Sequence, residues 1–147
     1  MTSRLLHEEN GLKTLVVVFD KGEEVRQVLL QFAGEHHIAS AHLAAIGAFC
    51  RVLLGFFDRQ LKDYEKISID EQVELLSFNG NIAEFNGKPK LHAHVVVGKR
   101  DGTAHGGHLL EGHVWPTVEM IITETPQHLR RVQDEETGLA LIAPQAV

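Results

Sequence analysis

Ten histidines in 147 residues is a high count, and the placement of three of them points to metal chemistry. In Leu91-His92-Ala93-His94-Val95-Val96-Val97, strand alternation puts His92 and His94 on one face and the aliphatic residues Leu91, Ala93, Val95 and Val97 on the other. Residues two apart on a strand lie roughly 6.5 to 7 Å apart at the backbone, and two ring nitrogens can close that gap onto one ion at about 2.0 to 2.1 Å each. A third ligand has to come from a neighbouring strand. The segment Ala104-His105-Gly106-Gly107-His108-Leu109, which follows the turn dipeptide Asp101-Gly102, offers His105 and His108.

Register decides between these two. If Asp101-Gly102 is a two-residue turn, Arg100 faces Thr103, His105 opposes Gly98 and Leu109 opposes His94. His105 then shares the face of His92 and His94 but lies roughly 13 Å along the strand from His94, and His108 turns away. A bulge at Gly106-Gly107, where one extra residue costs least, reverses that facing and brings His108 beside His94. Three neutral imidazoles leave a fourth position for water, the arrangement of catalytic rather than closed structural zinc sites.

The plain alternative for any one histidine is an ordinary polar position or a core imidazole satisfied by backbone hydrogen bonds, and it is the reading for His7, His36, His37, His42 and His128. His105 and His113 are candidates for the rim of the site. Glu119, alternating with Thr117 and Ile121, could orient a ligand histidine or act as a general base, or be a solvated strand residue. Glu74 invites the same two readings. Cys50 has no histidine partner in its local sequence and reads as a buried structural thiol.

The elements that must position these groups are legible in outline. Thr14 to Phe19 is continuous, apolar and β-branched, as a strand buried on both faces would be. Asp20 with Glu23 forms a capping pair, and Val25, Val28, Leu29 and Phe32 repeat at helical spacing behind it, which predicts a helix over 22–35. His36 and His37 then stand at its C-terminal end. Strands follow over 41–46, 52–57, 64–69, 73–85, 91–97 and 117–123, with Asn86-Gly87 and Asp101-Gly102 supplying hairpin turns. The fold class is α+β, a mostly antiparallel sheet covered by one N-terminal helix. A lone helix covers only part of a broad sheet, so the uncovered apolar face predicts a homo-oligomer.

Composition sets the remaining bounds. With 44% apolar and 23% charged residues, the chain is an ordinary globular protein, and its length fits a single domain over 1–147. A lone cysteine permits no internal disulfide, and no secretory signal opens the chain, which fits a reducing cytoplasm. The longest apolar stretch, Leu43 to Phe57, is too short and too interrupted to span a membrane. The formal charge of -6, from 14 Lys and Arg against 20 Asp and Glu, repels nucleic acid on average. Lys99-Arg100 and Arg130-Arg131 are the only adjacent basic pairs.

Several segments in order resemble a known family. They are Phe19-Asp20-Lys21-Gly22-Glu23-Glu24-Val25, Ile46-Gly47-Ala48, Glu74-Leu75-Leu76-Ser77-Phe78-Asn79-Gly80, Leu91-His92-Ala93-His94, Gly106-Gly107-His108-Leu109-Leu110-Glu111-Gly112 and Glu119. Together, over about residues 12 to 125, they are similar to the PPC domain, conserved in plants and prokaryotes. The resemblance implies a trimer with a metal, often zinc, on His92, His94 and His108. In plants that domain follows AT-hook motifs that enter the DNA minor groove, and this chain has none, so direct DNA binding does not carry over. The function expected is a trimeric metal-binding domain acting on or sensing a small molecule. The alternative is a regulatory or DNA-associated interaction module in which the metal is structural.

Overall fold

The computed structural model of the chain describes residues 1–125 and 129–145, and His128 lies outside the described residues. Nine strands and one helix follow in the order β1 (Thr2–Glu9), β2 (Leu12–Phe19), α1 (Val25–Glu35), β3 (Ala41–Asp58), β4 (Asp63–Ile69), β5 (Val73–Phe85), β6 (Lys88–Gly98), β7 (Ala104–Glu124), β8 (Arg131–Gln133) and β9 (Ala140–Ile142). Every pairing between these strands is antiparallel, and an isolated parallel bridge joins Glu84 to Arg130. This is the α+β class read from the sequence.

Two long strands organise the sheet. β3 pairs with β5 along its first half and with β4 along its second, while its other edge runs against β7. β7 pairs with β6 near its start and with β2 near its end. The circuit β3, β5, β6, β7 and back to β3 is therefore closed, with β2 and β1 added outside β7 and β4 outside β3. Closure removes most free edges, the usual hazard of an antiparallel sheet. Inside, Phe19, Leu43, Phe49, Leu54, Phe78 and Met120 belong to one continuous core. The apolar stripe of α1, Val25, Leu29, Phe32 and Ala33, is buried and packs over β6 and β7.

Several local expectations change. The helix opens at Val25 rather than Gly22, because Glu24 is the N-cap: its carboxylate accepts from the Arg26 and Gln27 amides and also from the Gly112 amide of β7 at 3.1 Å. Asp20 and Glu23 do pair, the Asp20 amide donating to the Glu23 carboxylate at 2.8 Å, but one turn too early to start the helix. The two strands expected over 41–46 and 52–57 are one, β3, bent by register shifts on either side of Phe49. Those shifts break simple alternation. Phe49 takes the buried position, and Cys50 is exposed rather than a buried thiol. In β2 only Leu15, Val17 and Phe19 are buried, while Val16 and Val18 on the other face are partly exposed.

Candidate metal centre

The hairpin between β6 and β7 decides whether the histidines meet. Its connection is not the two-residue turn at Asp101-Gly102 but a three-residue loop, Arg100-Asp101-Gly102, between paired Lys99 and Thr103. The Gly102 amide closes a turn on the Lys99 carbonyl at 2.9 Å, and the Lys99 amide donates to Thr103 at 2.9 Å. Gly102 has φ +82°, the positive-φ residue such loops require. Asp101 caps the loop by accepting from the Thr103 amide and hydroxyl. An odd loop shifts the pairing by one residue, so His94 stands directly opposite His108 and Val97 opposite His105. No bulge forms at Gly106-Gly107, where the ladder runs without a break. The expected convergence occurs by a different cause.

The glycines serve close packing instead. A Cβ on Gly107 would stand 3.0 Å from the Gly55 carbonyl oxygen, and one on Gly55 would strike the Tyr64 ring at 2.7 Å. Bare backbone at Gly55, which pairs with His108 across β3 and β7, lets Tyr64 of β4 stack on the His108 ring, with centroids 4.6 Å apart and planes 24° apart.

Ring centroids of His92, His94 and His108 lie 5.1 to 5.6 Å apart. One nitrogen from each falls within 4.8 Å of the others. The His92 and His94 Nε2 atoms are 3.2 Å apart, close to the roughly 3.3 Å that two nitrogens share on a tetrahedral ion with bonds of about 2.0 to 2.1 Å. His108 Nδ1 is buried and finds no hydrogen-bond partner among the described residues, a cost that a bound ion or water removes. The donor set fits a divalent metal, and its imidazoles accept zinc, copper, nickel or iron.

Burial keeps His92 and His108 neutral and ready to ligate. Desolvation, the neighbouring His92 and His94 and then Arg26 lower the His108 pKa to about 4. His92 is lowered as well, by desolvation first, then by Arg131 and His94. The unfolded chain therefore takes up protons on these groups before the folded chain does. Their contribution to stability is full above pH 6.5 and drains away as pH falls toward 4. In chelator-treated protein the melting temperature is expected to drop across that window. His108→Gln should flatten the drop relative to wild type, and equal slopes would contradict the assignment.

The other candidates stand elsewhere. Glu119 is exposed, opposite Val18 on β2 and Ile46 on β3, and with Glu74 it lines an open hollow of about 580 Å³ that shares no residue with the cavity beside His92 and His108. His105 is exposed on β7. His113 meets Arg51 at 3.1 Å, Nε2 to Nη2. His42 faces out from β3, and His36 is the helix C-cap with its ring 4.1 Å from Phe32. Residues 26, 64 and 131 were not singled out by spacing. Tyr64 reaches His108 through the pairing of β4 with β3, and Arg131 reaches the site through its hydrogen bond to Asn81, neither of which a local pattern announces.

The family model of the Plants and Prokaryotes Conserved (PCC) domain matches residues 6–126. Among solved structures, a plant- and prokaryote-conserved (PPC) protein of Pyrococcus horikoshii is 28% identical with a TM-score of 0.85, covering 99% of this chain and 97% of its own. A metal-containing protein of Archaeoglobus fulgidus is 34% identical with a TM-score of 0.81, over 89% of this chain and 93% of its own. A "Putative DNA-binding protein" of Ralstonia eutropha JMP134 is 31% identical with a TM-score of 0.83, over 95% and 94%. The Bifunctional protein GlmU of Synechococcus sp. (strain JA-3-3Ab) is 27% identical over 120 residues. Those residues are 80% of this chain but 18% of that protein's length.

Proposed function

This chain belongs to the Plants and Prokaryotes Conserved (PCC) domain family, and on that premise we propose that it is a homotrimeric metal-binding protein that acts on or senses a small molecule at a zinc ion. The observation that carries the reading is the convergence of His92, His94 and His108 on one face of the β6–β7 hairpin. His92 and His94 project from alternate positions of β6, and the odd loop brings His108 opposite. When bound, an ion held by three imidazoles polarises an oxygen ligand or lowers the pKa of a bound water. The chain's own share is to hold the three rings in place: Tyr64 supports one face of His108, and burial keeps protons off His92 and His108.

Support for assembly comes from the sheet face opposite the core. Ile46 is 61% and Leu76 54% exposed, with Val96 and Ile121 beside them on neighbouring strands. Aliphatic side chains in such a cluster favour burial against further copies. Glu119 stands on this face, so a base role for it at the ion requires a second chain to present it. The experiment is metal analysis of protein refolded without chelator, paired with sedimentation. About one ion per chain in a trimer is expected. A stable monomer contradicts the assembly, and no uptake of zinc, nickel, copper, manganese or iron contradicts the centre.

A second reading draws on the DNA-binding description of the Ralstonia relative: a regulatory module whose metal is structural. The net charge of -6 works against a phosphate backbone. Mobility shifts at physiological salt separate the two, since a shift stronger than that of a neutral control protein would favour this second reading.

A further inference from the structure

Beside the histidines lies a cavity of about 140 Å³ whose walls include Arg26, Lys90 and Arg131 and no carboxylate. In a chain of net charge -6 this is a local reversal of sign. Arg131, on β8, is only 6% exposed. Its Nη1 donates to the Ala140 carbonyl at 3.0 Å and its Nη2 to the Asn81 side-chain oxygen at 2.5 Å. Its Nε is buried without a hydrogen-bond partner, and no acidic group pairs with it among the described residues. Neither Arg26 nor Lys90 has an acidic partner among them: Arg26 donates to the Leu110 carbonyl, and Lys90 sits over the Phe85 ring.

A buried guanidinium with only neutral partners is costly, and the cost falls when an anion supplies the missing charge. Asn81, which orients Arg131, is the β5 neighbour directly opposite His92, so the cation is tied to the metal-ligand strand through one side chain. Beyond these cations the wall carries Tyr64, the two histidines His92 and His108, and the aliphatic Leu91, Leu139 and Leu141. At about 30 Å³ per water-sized group, the space holds on the order of four to six non-hydrogen atoms. That space fits a short organic acid. Arg131, Leu139 and Leu141 belong to the C-terminal β8–β9 hairpin, beyond the residues 6–126 matched by the family model.

We infer that this cavity binds a small aliphatic carboxylate, its charge met by Arg131 and its hydrocarbon part by Leu91, Leu139 and Leu141, next to the ion held by His92, His94 and His108. The inference rests on the metal reading, and the test keeps the two apart. The full-length protein is loaded with cobalt, whose visible bands report its ligands, and titrated with butyrate, inorganic phosphate and the neutral analogue butyramide, with calorimetry alongside. Butyrate is expected to move the bands and release heat while butyramide does neither. Arg131→Gln should weaken butyrate about 10-fold or more, the loss of one charge-assisted contact. Should that variant fail to fold, Leu141→Phe, which fills the cavity and leaves the charge, should block butyrate while cobalt still binds. Cobalt bands that butyrate leaves unmoved would overturn this inference alone, as would phosphate binding more tightly than butyrate or Arg131→Gln binding it unchanged. Absent bands would overturn the metal reading and this inference with it.

Discussion

His94→Ala is expected to weaken metal binding by at least about 100-fold, since it removes a direct ligand where loss of a mere supporting group already costs 10 to 100-fold. The measurement is competition against a chromogenic chelator. His94 is the clean choice because it is exposed, whereas His108 is partly buried and stacks on Tyr64. Removing an exposed strand side chain shifts the metal-free protein's stability by no more than about 0.5 kcal/mol. A variant that retains wild-type affinity would remove His94 from the centre. A variant that loses affinity and unfolds would make its role structural.

The second large effect lies in the sheet. Gly47 of β3 has φ +151°, and a Cβ there would stand 2.3 Å from the Thr117 carbonyl oxygen and 2.7 Å from the Val118 Cα, both backbone atoms of β7. Neither can swing aside without breaking the pairing that closes the strand circuit. Gly47→Ala should cost roughly 3 kcal/mol, from steric overpacking and backbone strain together. Urea unfolding measures it. Gly34→Ala in α1 is the control of opposite sign: nothing stands within 4 Å of its added methyl, and a helical Gly to Ala change stabilises by about 0.5 to 1 kcal/mol. Equal midpoints for the two variants would refute this account of β3 and β7.

How far the sequence could be read depended on the range of the interaction. His92 and His94 were legible because strand alternation is local. His108 was legible as a candidate, but the route to it was misplaced: Asp101-Gly102 looks like the same two-residue turn as Asn86-Gly87, which does connect paired Phe85 and Lys88. What separates them is that Asp101 folds back on Thr103 and draws Arg100 into the loop. Cys50 misled because alternation fails where β3 bends around Phe49. The helix start misled because the Glu24 cap is reinforced by Gly112, 88 residues away. Arg131 showed in the sequence only as half of a basic pair. Its burial depends on Asn81, 50 residues earlier, and no periodicity carries that information.

The Arg100-Asp101-Gly102 connection gives hairpin length a chemical meaning. Surface loops ordinarily absorb insertions and deletions at little cost. Here an odd count faces an imidazole toward its two companions, and an even count would turn it away and carry Leu109 out of the core with it. A register slip from a single codon gained or lost at this tip would cost metal binding and core packing together. Within chains of this architecture, drift in the length of that tip should therefore travel with erosion of the histidines.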